Sequence, residues 1–402
     1  MVKAADSMGL RRQLVRELEQ RELIRSERVR DAFLAVPRER FVPEFAAREG
    51  LQAVYRDEAI PTKHGEYGIP LSSSSQPAIM ALMLEHLELE EGMRVLEIGA
   101  GTGYNAALLS LLVGEHGRVV SVDVDAQIAA EARRALRNLG YKVRIVHGDG
   151  RGGFVKTAPY DRIIVTASAD AVPRAWFEQL ADAGLLEVPL RLNADGAQAI
   201  PVLRKTPVGF RSLHTLGGRF MPLRGADESG IPDPLREPRL NITETSDQGP
   251  ETILQLSGGA VETLSRPAKR RLLATALGEP RRRRLGLRAN HGALGLYLSL
   301  TLPKSRLVRS FPNFAIGAIS RDGASLAIVE LARPDQPKVQ SLRSYGDREA
   351  EEFLFEHVRT WTRRGRPAES DLKITVTYET DQSRFGLRWP PIYREARNVS
   401  GH

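Results

Sequence analysis

The stretch VLEIGAGTGYNAALL, residues 95–109, decides the fold. It begins with an apolar run typical of a buried strand and ends with an apolar run that predicts a helix. Between them lies a turn with three glycines, Gly99, Gly101 and Gly103. Such a turn lets the polar groups of a nucleotide approach bare backbone and a helix N-terminus. The stretch therefore predicts a nucleotide-type cofactor site in an α/β protein.

The chain around this stretch repeats the same alternation of strand and helix. Apolar runs and helical patterns follow one another as MRVLEIG, YNAALLSLLV, RVVSVDV, AQIAAEARRALRNLG, KVRIVHGD and YDRIIVTA. This order predicts a parallel sheet covered by helices on both faces. Three later segments, GLLEVPLRL, AIPVLRKT and GFRSLHTLGGRFMPL, predict strands that close the sheet, and residues 8–45 predict two short amphipathic helices.

A length of 402 residues exceeds that of one typical domain. Residues 226–250 are dense in Pro, Gly, Asp and Ser, which favours a linker. We therefore expect an N-terminal helical segment (1–50), a core (51–225), a linker (226–250) and an accessory α+β domain (251–402). In the last, VETLSRPAKRRLLATALG and EAEEFLFEHVRTWTRR predict helices, whereas ALGLYLSLTL, ASLAIVEL and DLKITVTYE predict strands.

Composition limits the possible functions. The 58 Lys and Arg exceed the 50 Asp and Glu by 8, which favours an anionic partner: an acidic peptide, a nucleotide or a nucleic acid. The absence of cysteine excludes a thiolate nucleophile and a cysteine zinc site. The sequence contains neither a signal-peptide pattern nor an apolar run near the roughly 20 residues of a membrane span. We expect a soluble, cytoplasmic protein without a membrane partner.

The acid in front of the glycine turn bears on which cofactor binds. Glu97 can hold a cationic ligand or order the loop around one, whereas a pyrophosphate there would be repelled. S-adenosylmethionine carries sulfonium and ammonium cations and suits this acid. However, Gly101, Gly103 and Ala106 loosely fit the dinucleotide pattern G-x-G-x-x-G/A. A dinucleotide enzyme therefore stays open on these residues alone.

Two further acids follow the next strands. Asp123 is placed to accept hydrogen bonds from a ribose diol, and Asp149, in HGDG at 147–150, can accept one from an adenine amino group. Both lie at the carboxyl ends of predicted parallel strands, where the binding sites of open α/β sheets are found. With the glycine turn they predict one cofactor site.

A run of four serines, 72–75, lies between Pro70 and Pro77 and precedes an apolar helix. A serine run is ordinarily a flexible linker. Here its hydroxyls, together with free backbone N–H groups at the start of the helix, can receive a carboxylate.

Six motifs in order, AVPRERFV, the Ser-Gln-Pro loop, VLEIGAGTGYNAALL, HGDG, YDRIIVTA and RFMPL, resemble the landmarks of protein-L-isoaspartate O-methyltransferases. The resemblance covers residues 10–225. It implies a Rossmann-like class I methyltransferase core that uses S-adenosylmethionine to methylate the free carboxylate of isoaspartyl residues in peptides.

The resemblance also implies residue roles. The glycines of the turn hold the methionine moiety, Asp123 the ribose, and Asp149 with Gly150 the adenine. Ser75 contacts the substrate carboxylate. The full expected cofactor site is Glu97, Gly99, Gly101, Thr102, Gly103, Asp123, Val124, Asp149 and Gly150, and the candidate catalytic residues are Ser73, Ser74 and Ser75.

Two departures from the family pattern concern the substrate. The loop before Ser75 is longer than in the repair enzymes, with Ser73 and Ser74 in place of Thr-Ile, and those enzymes have no counterpart of the C-terminal domain. Both features resemble actinobacterial homologues associated with lanthipeptides and related ribosomal peptides. They predict methylation of an Asp or isoAsp in a precursor peptide, leading to aspartimide or isoaspartate. General isoaspartyl repair and a non-catalytic cofactor-binding module are the alternatives.

The remaining motifs argue against other classes. Arg281–Arg284 could suggest nucleic-acid binding, but neither an RNP pattern nor a helix-turn-helix accompanies it, so an acidic precursor peptide is the expected partner of the basic C-terminal domain. The eight histidines lack paired ligand spacing, and we expect no metal site. The lack of G-x-S-x-G argues against a serine hydrolase.

Overall fold

The computed structural model describes residues 4–65, 70–193, 196–225, 239–246, 249–285, 291–311, 315–329, 341–380 and 382–389. The chain divides into two compact units. Unit 1 consists of Met1–Arg191, Ile200–Ile231 and Ile374–Leu387. Unit 2 consists of Leu192–Ala199, Pro232–Lys373 and Arg388–His402.

The helices are α1 (Ala4–Gln20), α2 (Glu27–Ala35), α3 (Pro43–Glu49), α4 (Leu51–Val54), α5 (Pro77–His86), α6 (Tyr104–Leu112), α7 (Ala126–Asn138), α8 (Arg174–Gln179), α9 (Gly259–Thr263), α10 (Arg266–Ala276), α11 (His291–Thr301) and α12 (Glu349–Arg363). None of the described helices is long and apolar enough to cross a membrane.

The strands are β1 (Ile60–His64), β2 (Pro70–Ser74), β3 (Arg94–Ile98), β4 (Arg118–Asp123), β5 (Val143–His147), β6 (Tyr160–Val165), β7 (Leu180–Glu187), β8 (Leu190–Arg191), β9 (Gln198–Thr206), β10 (Gly209–Leu216), β11 (Arg239–Ser246), β12 (Gly249–Ser257), β13 (Arg281–Arg284), β14 (Leu307–Phe311), β15 (Ala315–Ile319), β16 (Ser325–Val329), β17 (Ser341–Gly346), β18 (Lys373–Glu379) and β19 (Gln382–Arg388).

Unit 1 is built on a ten-stranded sheet in the order β19-β18-β10-β9-β7-β6-β3-β4-β5, with β8 paired to β9. From β7 to β5 the neighbouring strands are parallel. β3 and β4 are buried along nearly their whole length, as expected for parallel strands covered on both faces. The antiparallel strands β9 and β10 extend the sheet. The predicted α/β fold class is confirmed.

The N-terminal helices belong to this core and do not form a separate segment. Leu18 of α1 and Phe33 of α2 lie in the same hydrophobic cluster as Leu108 of α6 and Val95 of β3. The sequence predicts two helices in residues 8–45, whereas α1, α2 and the start of α3 fall there. Pro43 at the first position of α3 explains the additional helix start.

The C-terminal strands also return to unit 1, which corrects the expected domain boundary at residue 251. β18, within the segment DLKITVTYE, pairs antiparallel with β10, and Val376 lies opposite Phe210. The Ile374 N–H donates a hydrogen bond to Ser212 Oγ over 2.9 Å. Pairing between strands so distant in sequence leaves no local signal, because β18 carries the alternating pattern of any half-buried strand.

Unit 2 contains a seven-stranded antiparallel sheet in the order β11-β12-β14-β15-β16-β17-β13. Its strands alternate between two apolar clusters. Leu307 and Ala318 pack in the cluster that holds residues of α11 and α12, whereas Val308 and Ile319 pack in the one that holds residues of α10. Helices therefore cover both faces of this sheet.

Two expectations for this part of the chain were wrong. ALGLYLSLTL, expected as a strand, lies mainly in α11, since a short continuous apolar run suits a buried helix as well as a strand. The expected linker 226–250 includes β11 and the start of β12. Residues 226–238 of that linker lie outside the described ranges.

Candidate active site

A cavity of about 460 Å³ lies in unit 1 where the glycine turn, the serine run and the segment 217–224 meet. The residues from the sheet that line it follow the carboxyl ends of β3, β4, β5 and β6. Of the residues expected in the site, the lining includes Ser73, Ser74, Ser75, Gly99, Gly101, Thr102, Asp123, Val124 and Gly150. The sequence motifs thus meet at one place.

Two of the turn glycines are required by space and backbone conformation. Gly99 has φ +97°, and a Cβ there would lie 2.4 Å from Thr166 Oγ1. Gly101 has φ +50°, and its Cβ would lie 3.3 Å from the Ser73 carbonyl oxygen. A side chain at either position would meet the cavity wall, so the glycines keep backbone exposed to a ligand.

Gly103 lies where α6 packs closely on α7. With φ +86° it precedes α6, and a Cβ there would contact Leu136 and Ala132 of α7 at 3.2 and 3.3 Å. Among the described residues it does not line the cavity. The third glycine therefore permits close helix packing, and its contact with the methionine moiety stays a prediction.

Asp123 lies at the end of β4 with its carboxylate fixed by backbone donors. Oδ2 accepts from the Gly101 N–H at 3.1 Å, and Oδ1 accepts from the Asp125 N–H at 3.0 Å. Burial raises the pKa of Asp123 from its ordinary value, while these two hydrogen bonds oppose that rise. An ionised carboxylate has about four acceptor positions, so capacity remains for a ligand diol.

Glu97 lies behind the glycine turn, with none of its surface exposed. It accepts hydrogen bonds from Asn105 Nδ2 at 2.7 Å and from Ser121 Oγ at 2.5 Å. Burial raises its pKa to about 7. Because its oxygens accept from residues of α6 and β4, the geometry fits a role in ordering the turn, and a contact of Glu97 with the cofactor stays a prediction.

Asp149, which the sequence places at the adenine, bonds to the turn that follows it. Its carboxylate accepts from the Arg151 N–H at 2.9 Å and forms an ion pair with Arg151 Nη2 at 2.7 Å. Among the described residues Gly150 lines the cavity and Asp149 does not. The Gly150 carbonyl accepts from Trp176 Nε1 at 2.8 Å, which fixes this corner of the cavity. The Asp149 carboxylate therefore caps the turn that follows it, and its contact with adenine stays a prediction.

The serine run forms a strand and not the flexible loop that its composition suggests. β2 pairs antiparallel with β1, with Ser73 opposite Pro61 and Ser74 opposite Ile60. Ser74 is buried, and its Oγ has no hydrogen-bond partner among the described residues. Ser75 follows the strand at half-buried depth and lines the cavity.

The N-terminus of α5 is less free than expected. Asp57 Oδ1 accepts from the Ala78 N–H at 2.8 Å, and Gln76 Nε2 donates to the Asp57 carbonyl at 3.0 Å. A carboxylate from the segment before β1 thus occupies one of the donors proposed for the substrate. The serine hydroxyls remain as the polar groups of this wall.

The segment 217–224 was expected to continue a strand, but β10 ends at Leu216 and the chain then lines the cavity. The backbone of Ser168 holds this segment through two hydrogen bonds. Its N–H donates to the Met221 carbonyl at 2.7 Å, and its carbonyl accepts from the Leu223 N–H at 2.8 Å. Two glycines and Pro222 explain the end of the strand. Within the described ranges, no cluster of His, Cys, Asp or Glu could hold a metal ion.

The family model for Protein-L-isoaspartate(D-aspartate) O-methyltransferase (PCMT) matches residues 10–228, more than half of the chain. The chain belongs to this family. It is therefore an enzyme of the protein-L-isoaspartate O-methyltransferase family, whose members depend on S-adenosylmethionine, and that is its cofactor.

Relatives with that name match the same half of the chain. The Methanothermobacter thermautotrophicus protein-L-isoaspartate O-methyltransferase is 38% identical over 219 residues, covering 54% of this chain and 96% of the relative. The enzyme of that name from Thermotoga maritima is 40% identical over 201 residues, covering 50% of this chain and 62% of the relative.

One solved structure extends the likeness to nearly the whole chain. This protein-L-isoaspartate O-methyltransferase is 29% identical with a TM-score of 0.53, covering 94% of this chain and 99% of its own. The expectation that the family's enzymes have no counterpart of the C-terminal region was therefore wrong.

Proposed function

We propose that this enzyme methylates the free carboxylate of isoaspartyl residues in proteins and peptides, using the cavity of unit 1 as its active site. The observation that carries the proposal is the meeting of two walls. Asp123 and the glycine turn form one wall, and Ser73–Ser75 form the other. A cofactor held on the first wall would present its methyl group toward a carboxylate on the second.

The residues present fit S-adenosylmethionine. Gly99 and Gly101 leave backbone bare beside the cavity, and Asp123 keeps acceptor capacity for the ribose diol. Thr102 and Val124 line the same wall. We assign the adenine to the corner at Gly150, with Asp149 acting on that corner through its cap of the following turn.

When bound, S-adenosylmethionine supplies an electrophilic methyl group on a cationic sulfur. The substrate carboxylate is ionised near pH 7, since ordinary carboxyl pKa values lie near 4, so the chain needs no general base. Its residues have two tasks: to hold the carboxylate in line and to exclude water. We propose that Ser75 donates a hydrogen bond to the carboxylate, with Ser73 and Ser74 completing that wall.

The narrower role in ribosomal-peptide maturation has less support than general isoaspartyl methylation. It relied on the C-terminal domain and on the lengthened loop before Ser75. A solved enzyme of the family covers the C-terminal region, and residues 66–69 of the loop lie outside the described ranges. We therefore propose isoaspartyl proteins and peptides in general as substrates, with repair as the activity.

Peptide recognition by unit 2 stays a prediction of the sequence. The four arginines of β13 are exposed and could attract an acidic peptide. However, Arg281 and Arg283 lie 3.6 and 3.8 Å from the carboxylate of Glu351, so part of that charge is already paired.

Three peptides of one sequence, with isoAsp, Asp or Asn at a single position, test the proposal. Each is incubated with the full chain and S-adenosylmethionine and examined by mass spectrometry. We expect a gain of one CH₂ group on the isoAsp peptide alone. Methylation of the Asp peptide at a comparable rate would instead favour a dedicated precursor substrate, and no product from either would contradict carboxyl methylation.

A further inference from the structure

Arg38 is a fully buried cation in the motif AVPRERFV, which the proposed chemistry does not use. It begins the 3-10 helix Arg38–Arg40, and its exposed fraction is 0%. Burial of a guanidinium is costly unless its donors are satisfied, and among the described residues only Nη1 and Nη2 have partners, whereas Nε has none. Burial lowers the pKa of Arg38, and the described residues provide no carboxylate within ion-pair distance of it.

Backbone carbonyls take the place of a carboxylate. Nη1 donates to Val54 at 2.8 Å and to Arg56 at 3.1 Å, and Nη2 donates to Glu58 at 2.9 Å and to Ser75 at 3.1 Å. Three of these acceptors lie between the end of α4 and β1, and the fourth belongs to Ser75. One side chain therefore ties the serine wall to the segment in front of its hairpin.

The same motif supports the opposite wall of the cavity. Phe41, three residues after Arg38, packs on the Tyr104 ring with centroids 5.6 Å apart, and Tyr104 lines the cavity at the start of α6. Arg38 thus sits in a segment that contacts both walls. A change in its hydrogen bonds would displace Ser75 relative to the glycine turn.

Arginine is the side chain that this arrangement requires. Its planar guanidinium has five donors in fixed directions, whereas lysine has three donors on one rotating nitrogen. A lysine could not reach four carbonyls on two sides at once. Ser75 accepts from Arg38 through its backbone carbonyl, so this contact does not occupy its hydroxyl.

We propose that Arg38 is a positioning residue for methyl transfer, which holds the backbone of Ser75 so that its hydroxyl meets the substrate carboxylate. The proposal rests on the role of Ser75 in the proposed function. A purely structural role would lower stability without a specific effect on substrate turnover, so the two can be separated.

The test uses R38K, S75A, the double variant and R162K. Arg162 is a matched control, because it also donates to backbone carbonyls, those of Asp161 at 2.9 Å and Glu88 at 3.2 Å, and lies outside the cavity lining. For each variant, kcat and KM for an isoaspartyl peptide, Kd for S-adenosylhomocysteine and Tm are measured on the full chain.

We expect R38K to lower kcat/KM roughly 10- to 100-fold, as for a small misplacement of a reacting group. In the S75A background the same change should cost less than about threefold, because the hydroxyl it positions is gone. Kd of R38K for S-adenosylhomocysteine should change little. The control R162K should lower Tm without lowering kcat/KM.

The proposal would be overturned if R38K lowered kcat/KM by the same factor in the unaltered chain and in S75A. It would also be overturned if R162K, at a similar Tm, lowered kcat/KM as much as R38K does. If R38K weakens S-adenosylhomocysteine binding as much as it lowers kcat/KM, the substitution disrupts the whole site, and the positioning role is rejected. Failure of the proposed function is recognised separately, since the unaltered chain would then not methylate the isoaspartyl peptide.

Discussion

The Gly101 N–H donates a hydrogen bond to Asp123 Oδ2 over 3.1 Å. This bond joins the middle glycine of the turn to the carboxylate at the end of the neighbouring strand. The turn is therefore ordered by the residue assigned to the ribose, and each feature supports the other. Loss of the glycine turn or of the Asp123 carboxylate should affect cofactor binding more than it affects the serine wall.

Asp123→Asn tests the ribose assignment. The amide of asparagine places an NH₂ donor opposite the N–H donor of Gly101 or of Asp125. It also lacks the negative charge that strengthens hydrogen bonds to the carboxylate. We expect Kd for S-adenosylhomocysteine to rise by a factor of about 10 to 100, near 1.5–3 kcal/mol. Calorimetric titration measures it. Asp161→Asn, at the amino end of β6, is the control, and an unchanged Kd in Asp123→Asn would refute the assignment.

Gly101→Ala tests the close approach of the turn to the serine strand. Gly140 is a matched control, since its φ is +79° and nothing lies within 4 Å of its Cβ position, whereas at Gly101 the Ser73 carbonyl lies 3.3 Å away. Gly140→Ala should cost about 1 kcal/mol in the free energy of unfolding from backbone strain alone. Gly101→Ala should cost more and also weaken cofactor binding, as measured by urea unfolding and titration. Equal costs without loss of binding would contradict the contact.

Glu187 provides a prediction for pH. It is fully buried on β7, and neither carboxyl oxygen has a hydrogen-bond partner among the described residues. Burial raises its pKa well above the ordinary 4.5. The folded state thus keeps a proton that the unfolded chain releases. The stability contribution of the neutral carboxyl is complete below the unfolded pKa and is lost as pH rises through the folded pKa.

The Glu187→Leu variant should therefore have a higher free energy of unfolding than the unaltered chain. This difference should grow from about pH 5 to about pH 8. For Glu187→Gln the difference should grow with pH in the same way but be smaller at every pH, because its buried amide lacks partners. Urea unfolding across that range measures both. A margin that does not change with pH would show that Glu187 is already ionised in the folded protein.

Ser75→Ala should impair methyl transfer more than cofactor binding. Loss of one hydrogen bond to a carboxylate should lower kcat/KM for an isoaspartyl peptide by roughly tenfold or more. Kd for S-adenosylhomocysteine should stay near its original value. Ser110→Ala removes a hydroxyl that bonds only the Ala107 carbonyl within α6, and should leave both constants unchanged. Parallel losses in kcat/KM and affinity would remove Ser75 from the substrate wall.

Much of the fold and of the cofactor wall could be predicted, because both depend on patterns close in sequence. The strand, turn and helix of residues 95–109 form as expected, and Asp123 lies in the cavity because parallel strands end at one edge of a sheet. The serines line the same cavity, although most of them lie in a strand, and their contact with a substrate stays a prediction.

The structure shows contacts that the sequence did not indicate where partners are distant in sequence or where a side chain bonds to a near neighbour. β18 joins β10 through a pairing without local signal, and Ser73 becomes part of a strand through Pro61. Asp149 is captured by Arg151, two residues away. The hydrogen bonds of Arg38 to four carbonyls likewise leave no pattern in the sequence.

The most direct test of the account is transfer of an isotopically labelled methyl group from S-adenosylmethionine to an isoaspartyl peptide by the full chain, followed by mild base. A carboxyl methyl ester should release its label as volatile methanol, and Ser75→Ala and Asp123→Asn should both reduce that release. Label that stays on the peptide after base, or that never reaches it, would contradict carboxyl methylation in this cavity.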